Sequence, residues 1–301
     1  MLVVPVRDPD PVPNGTNRPV GLQAHLLDRS AGWPTVGELT LAKLDWRRVE
    51  EMYAKWEGQL DATTRAPYAS TLSKVLEHAK RCGWVRTNIA AQARRPEVPS
   101  HKPDVPVTSE VREALALVRD VDFNLYAYVM GLSTIGCRRS ELFALTVGDC
   151  DLDNRVVTIR ASLADGGPGI GIYRKATKRD VPMTEQLAEV LTDLFEIRRR
   201  NLAAARIESS PDSLVFSDEP DGSRWMRPDS TSQRWLAARG DSRVTLTMLR
   251  RYVATQLLDV TNGDYRTVAS ITGNSEETLK RWYDAGPNLE KKRAVIGLSR
   301  L

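Results

Sequence analysis

The chain has 301 residues, of which 41% are hydrophobic, and this length suggests roughly two domains that each bury a core. Its 43 Lys and Arg residues against 39 Asp and Glu give a net charge of +4, which permits a polyanionic partner without requiring one. The 3 His and 3 Cys residues are scattered, which argues against a His-based hydrolase, a disulfide framework and a metal site. No apolar run reaches membrane-spanning length and the start lacks a signal-peptide pattern, so we expect a cytoplasmic protein.

The first part of the chain predicts an arm, a helical domain and a linker. Residues 1–33 are rich in Pro, Gly, Asn and Asp, which is typical of an extended arm. Residues 34–95 have apolar residues at helical spacing, and residues 96–107 are a proline-rich, semi-rigid linker. Basic side chains on the helical domain suit either a solvated surface or contacts with a DNA backbone. They are Arg65, Lys74, Lys80, Arg81, Arg86, Arg94 and Arg95.

Two helices are predicted next, over 110–119 and 123–134, and the second is apolar enough to be buried. Gly136 ends that helix, and a new helix is expected to begin near Arg138. Glu141 follows three residues later, at a spacing that allows its carboxylate to brace the Arg138 side chain. This pair suits either local helix stability or the presentation of a guanidinium to an anion.

A small sheet and a long helix are predicted after this segment. Residues 155–160 alternate as a strand, and glycines then mark a loose turn before two short strands at 170–174 and 179–182. Residues 184–207 predict an amphipathic helix.

The last predicted feature is an arginine-bearing helix followed by a lone tyrosine. Thr247, Arg250 and Arg251 are three and four residues apart, so they share a helix face. A short polar helix then leads to Trp282 and Tyr283. Guanidinium groups that neutralise a phosphate and a phenol that attacks it are what phosphoryl transfer from DNA to tyrosine requires. Taken alone, the pattern is more typical of a solvated helix face and a packed tyrosine.

Several of these features occur together in one order. Residues 134–142 read TIGCRRSEL and match the pattern TxGxRxxEL; a strand, a basic hairpin and the Leu249–Arg250 pair follow. Nine residues separate Asn274 from Tyr283. In this order and spacing the chain resembles the tyrosine recombinases, or phage-type integrases. The resemblance covers residues 108–285 well and residues 34–95 loosely.

This resemblance implies a mainly α-helical fold with a small antiparallel β-sheet. Residues 34–95 would form the helical core-binding domain, residues 108–287 the α+β catalytic domain, and residues 288–301 a tail helix. Such a tail docks on a neighbouring protomer in the family, which implies a homo-tetramer on double-stranded DNA, possible accessory or directionality proteins and no membrane. A tail folded onto its own domain is the alternative. The resemblance also implies that a mobile element of a bacterium or phage encodes the chain and that the protein associates with the nucleoid.

The resemblance implies site-specific DNA recombination, in integration, excision or resolution, without metal or cofactor. Tyr283 would attack a scissile phosphate to form a 3′-phosphotyrosyl link and a free 5′-hydroxyl. Arg138 and Arg250 would bind the non-bridging oxygens, which suits their forked geometry. Lys175, with Lys178 as the alternative, would protonate the leaving oxygen. Glu141 and Arg251 are expected to support the site.

The chain also departs from the family pattern. Thr247 stands where the family has His or Lys, Asn274 where it has His or Trp, and Arg251 where a His often occurs. Thr and Asn donate hydrogen bonds but do not titrate near neutral pH. Loss of a general acid or base costs about 10²–10⁴ in rate. Two hypotheses therefore stay open: an active but slow recombinase, and a DNA-binding relative that acts as a regulator or accessory subunit.

Overall fold

The computed structural model describes residues 40–97, 104–165, 170–208 and 210–283. The chain divides into two compact units, with the boundary between His101 and Lys102. The predicted arm and the predicted tail helix lie outside the described residues. No helix in the described part of the chain is both long and apolar enough to cross a membrane.

The first unit is a small helical bundle. Its helices are α1 (Trp46–Glu57), α2 (Ala62–Arg81) and α3 (Ile89–Gln92). Asp45 caps α1, because its carboxylate accepts a hydrogen bond from the Arg48 amide at 2.9 Å. The apolar faces of these helices meet in a core that includes Val49, Trp56 and Leu76.

The second unit combines helices with one small sheet. Its helices are α4 (Thr108–Arg119), α5 (Phe123–Ile135), α6 (Arg139–Leu142), α7 (Glu185–Ala205), α8 (Pro228–Ala238), α9 (Leu246–Val260), α10 (Tyr265–Thr272) and α11 (Glu276–Tyr283). Its strands are β1 (Cys150–Asp151), β2 (Val156–Asp165) and β3 (Ile170–Pro182), which form an antiparallel sheet in that order. The predicted fold class, mainly helical with a small antiparallel sheet, is confirmed.

The core of the second unit forms around α5, which contacts α4, α7, α8 and α9. Almost every residue of α5 is apolar and buried, so the helix has no face left for solvent. The ring of Tyr128 stacks on Phe143 with 4.8 Å between centroids, and Phe216 meets Tyr128 edge-on. This packing fixes the end of α5 and therefore the position of the loop that follows it.

Gly136 ends α5 in the left-handed conformation, with φ at 67°. A Cβ atom at this position would lie 2.7 Å from Cγ1 of Val253 on α9. Only glycine combines this dihedral angle with so close an approach. The predicted break at Gly136 is confirmed, and it brings the loop before α6 against α9.

The sheet differs from the sequence prediction in one respect. Two short strands were predicted at 170–174 and 179–182, and this is wrong, because β3 is one strand of 13 residues. Its register against β2 shifts between Ile159 and Ala161. Lys175 and Lys178 lie among the extra residues that β3 contributes across this shift. An irregularity of this kind bends a strand and re-aims its side chains, which explains why the expected alternation fails there.

Candidate functional site

Glu141 is the buried centre of a cluster of positive charges. Its side chain is 0% exposed, and its carboxylate accepts a hydrogen bond from the Arg138 amide at 2.8 Å. The same carboxylate accepts from Nη1 of Arg138 at 3.2 Å, from Nη2 of Arg179 at 2.7 Å and from Nζ of Lys175. One carboxylate from α6 therefore connects the loop after α5 with two cations of β3.

The hydrogen bonds of this cluster keep Glu141 ionised. Burial alone would raise the pKa of Glu141, but the hydrogen bonds donated by Arg179, Lys175 and the Arg138 amide outweigh it and lower the pKa to about 2. The carboxylate is therefore negative at neutral pH, and its charge stabilises the guanidiniums and the ammonium around it.

Arg179, which no sequence motif singled out, links this cluster to the end of α10. Its Nε donates to the carbonyl of Ile271 at 3.0 Å, and its Nη2 also donates to the carbonyl of Thr272 at 3.3 Å. A Cβ atom at Gly273 would lie 2.9 Å from Cζ of Arg179, so the glycine is needed for this approach. No local sequence signal was available for Arg179, because β3 is irregular between Lys175 and Arg179 and the alternation of side chains fails there.

Arg250 lies on α9 and faces the loop that carries Arg138. Its Nη1 donates to the carbonyl of Gly136 at 3.1 Å, and its Nη2 donates to Oδ1 of Asn274. Burial, and then the positive charge of Arg138, lower the pKa of Arg250 to about 10. A guanidinium remains protonated at neutral pH, so two positive groups repel each other here and a bound anion would stabilise both.

Arg138, Thr247 and Arg250 line one cavity of about 540 Å³. Its walls also include the apolar side chains of Phe143 and Leu246. The Arg138 side chain is 49% exposed, and Thr247 is exposed. This arrangement of two guanidiniums and a hydroxyl at an open cavity fits a phosphodiester.

The other predicted site residues are Lys175, Lys178, Arg251 and Tyr283. Lys178 is exposed, whereas Lys175 reaches Glu141, so the geometry favours Lys175 over its alternative. Arg251 follows Arg250 on α9 and is half-buried. Tyr283 is the last residue of α11, a helix that begins two residues after Asn274. Eight helical residues span about 12 Å, so a short helix joins Asn274, the partner of Arg250, to the tyrosine.

The predicted DNA-contacting residues differ in how accessible they are. The Arg65 side chain is only 14% exposed and pairs with Glu57 at 3.0 Å. Lys80 pairs with Glu77 and Arg94 with Glu97 on the surface. The remaining members of the set are exposed; they are Lys74, Arg81, Arg86 and Arg95. A DNA contact by any of these side chains stays a prediction.

Within the described residues, no group of three or more His, Cys, Asp and Glu side chains is placed to hold a metal ion. The three cysteines are free. Cys137 lies buried beside the cluster, where burial and the charge of Glu141 raise the pKa of its thiol to about 12. Cys137 therefore remains a neutral, packed side chain at physiological pH.

Residues 108–286 match the phage integrase family, and this span is more than half of the chain. The chain belongs to the phage integrase family. The resemblance carried by the TxGxRxxEL pattern is therefore confirmed. This integrase is an enzyme of the tyrosine recombinase kind, and its function is site-specific DNA recombination.

The integrase is also similar in fold to solved recombinase structures. The Tn1549 transposon integrase in complex with transposon right end DNA has a TM-score of 0.67 at 16% identity, covering 93% of this chain and 92% of that one. A lambda integrase dimer bound to a COC′ core site has a TM-score of 0.57 at 14% identity, covering 78% and 80%. A lambda integrase tetramer bound to a Holliday junction has a TM-score of 0.57 at 15% identity, covering 78% and 65%. No curated protein sequence matches the chain.

Proposed function

We propose that this integrase cleaves and rejoins double-stranded DNA through a 3′-phosphotyrosyl intermediate on Tyr283. The observation that carries the proposal is the shared cavity of Arg138 and Arg250, with Glu141 joining Arg138 to Lys175. These are the cations that a phosphodiester needs as it gains charge in the transition state. Asn274 connects Arg250 to the segment that ends at Tyr283.

The proposed reaction is a reversible phosphoryl transfer to Tyr283. The phenol oxygen of Tyr283 attacks phosphorus and the bond from phosphorus to the 5′ oxygen breaks, which leaves a phosphotyrosyl diester. The phenol proton passes to solvent, and Lys175 gives a proton to the leaving 5′ oxygen. Arg138 and Arg250 donate hydrogen bonds to the non-bridging oxygens throughout. Attack by a 5′-hydroxyl on the phosphotyrosyl link reverses these steps and rejoins DNA.

The substituted positions make this integrase slow. Thr247 lies at the cavity but cannot exchange a proton near neutral pH, and Asn274 has the same limitation. Arg251 supplies positive charge beside Arg250 without accepting a proton. We therefore expect binding and charge stabilisation to be retained and proton transfer to be weakened.

On DNA, we propose a homo-tetramer, which the similarity to the lambda integrase tetramer on a Holliday junction supports. Residues 288–301 would dock on a neighbouring protomer.

Six exposed cations of the first unit would contact the phosphate backbone. They are Lys74, Lys80, Arg81, Arg86, Arg94 and Arg95. Arg65 is left out because its side chain is mostly buried and its guanidinium pairs with Glu57. We also propose that a mobile element encodes this integrase and that it acts in the cytoplasm, in association with the nucleoid. Accessory proteins would assist it.

Trapping on a nicked suicide substrate tests this function. The nick lets the cleaved 5′ fragment diffuse away, so a covalent protein–DNA adduct that resists detergent accumulates. We expect an adduct with the natural protein and none with Tyr283→Phe, while both bind the same DNA in a gel-shift assay. DNA binding without any adduct would contradict cleavage and support the alternative of an accessory or regulatory subunit.

A further inference from the structure

The buried carboxylate of Glu141 holds its cations unequally. Arg179 donates to this carboxylate from Nη1 at 3.3 Å and from Nη2 at 2.7 Å, whereas Lys175 donates to it through Nζ alone. Arg179 also donates from Nε and Nη2 to the carbonyls of Ile271 and Thr272. The guanidinium of Arg179 is therefore held between Glu141 and the end of α10.

Lys175 is held more loosely than Arg179. Its side chain is 26% exposed against 17% for Arg179, and it lies on the irregular part of β3. Its ammonium has three donors, and the described contacts include one with Glu141. Of the two cations of β3, Lys175 is thus the one that can leave the carboxylate at the smaller structural cost.

We propose that Arg179 is the permanent counterion of Glu141 and that it frees Lys175 to leave the carboxylate and protonate the DNA. The proposal rests on the function proposed above for Lys175. Arg179 is a positioning residue in this account, since it acts through Glu141 and touches neither substrate nor reacting atoms.

The physical reason is the high free energy of an unpaired buried charge. With Arg179 in place, Glu141 remains neutralised after Lys175 has moved away. Without Arg179, the carboxylate would retain Lys175 as its partner, because Arg138 is half-exposed and would bind the phosphate in the proposed function. The ammonium would then be held away from the leaving oxygen.

The proton balance of the step is simple. As the bond from phosphorus to the 5′ oxygen breaks, Lys175 transfers one proton from Nζ to that oxygen and becomes a neutral amine. Solvent returns the proton later. Glu141 stays ionised throughout, with its charge balanced by Arg179.

A substrate with sulfur in place of the 5′ bridging oxygen separates this role from a merely structural one. A thiolate leaves without a proton, so cleavage of the sulfur substrate does not need Lys175. In Arg179→Met, which keeps side-chain length and loses the charge, we expect cleavage of the oxygen substrate to slow by at least about 10²-fold and cleavage of the sulfur substrate to change by less than about fivefold. Arg179→Gln is a second neutral variant that keeps an N–H donor near the carbonyl of Ile271. Equal slowing of both substrates would overturn the proposal.

The double variant Glu141→Gln with Arg179→Met provides the matched control. Since a neutral amide no longer retains Lys175, the ratio of sulfur to oxygen cleavage should return toward that of the natural protein, even where both rates are lower. A ratio that stays as high as in Arg179→Met would show that Lys175 is not held by Glu141.

A measurement that needs no cleavage distinguishes failure of this inference from failure of the proposed function. Reductive methylation of Lys175, quantified by mass spectrometry relative to exposed Lys178, reports how often the amine leaves the carboxylate. We expect methylation of Lys175 to slow at least threefold in the neutral Arg179 variants, after circular dichroism has confirmed their fold. An unchanged ratio would contradict the inference, whereas absence of any adduct with the natural protein would contradict the function.

Discussion

Asn274 accepts a hydrogen bond through Oδ1 from Nη2 of Arg250, so the two side chains lie side by side. The other terminal nitrogen of Arg250 is held by the carbonyl of Gly136. Because Oδ1 is used, the amide nitrogen of Asn274 remains a donor. Asn274 thus orients the guanidinium, and in the proposed function its amide nitrogen would donate to a phosphate oxygen without transferring a proton.

The first prediction concerns the charge at position 274. Asn274→Asp retains an acceptor for Arg250 but adds a negative charge that repels the phosphodiester, so adduct formation should fall by about 10²-fold. Asn274→Ala removes the hydrogen bond without adding charge and should be less damaging. The rates are measured on a suicide substrate at saturating protein. If Asn274→Asp cleaves as fast as the natural protein, the amide does not face the phosphate.

The second prediction concerns the missing imidazole. Thr247 is exposed and lines the cavity, so Thr247→His has room there, and it should accelerate cleavage by at least about tenfold. The rate should acquire a titration near the ordinary His pKa of about 6.5. Thr247→Asn is the matched polar control and should give no such pH dependence. A Thr247→His variant that is no faster would show that proton transfer at this position does not limit the reaction.

The third prediction uses two glycines with similar backbone angles. Gly136→Ala places a methyl group 2.7 Å from Val253, so strain and overpacking should together reduce the free energy of unfolding by about 2–4 kcal/mol. In Gly240→Ala the new methyl group has open space around it. Only the positive φ of 55° is unfavourable there, so the free energy of unfolding should fall by about 1 kcal/mol. Urea denaturation of both variants measures the difference. Equal losses would mean that the contact of Gly136 with α9 is not tight.

Local patterns in the sequence predicted much of this site. Gly136 was predicted as a helix end because glycine commonly terminates helices. The pairing of Arg138 with Glu141 follows from their spacing of three residues, and the structure shows that contact. The family pattern then supplied Lys175 and Arg250, because spacing alone says nothing about which distant cations meet.

The rest of the site depended on three-dimensional packing. Arg179 joins the cluster because an irregular β3 passes the end of α10, and no local pattern states which strand lies near which helix. The same irregularity interrupted the alternation of β3 and led to the wrong prediction of two strands. The low exposure of Arg65 was likewise invisible, since it results from the packing of α2 against α1.

The fourth prediction concerns stability at low pH. The folded-state pKa of Glu141 is about 2, below the ordinary value of 4.5, so its contribution to stability is present above pH 4.5 and is lost as pH falls toward 2. The free energy of unfolding should drop more steeply between pH 5 and pH 3 in the natural protein than in Glu141→Gln, by about 2 kcal/mol. Urea denaturation at several pH values tests this. Parallel curves would mean that Glu141 has no strong partners in the fold.

The most direct test of the account is to identify the residue and the DNA end that are joined in the trapped adduct. Trypsin should release residues 282–291 as one peptide, in which Tyr283 is the single tyrosine. We predict that mass spectrometry finds this peptide bound through Tyr283 to a 3′-phosphate, with a free 5′-hydroxyl on the other fragment. A link to another residue, or to a 5′ end, would contradict the central claim that the Tyr283 phenol attacks a phosphodiester held by Arg138 and Arg250.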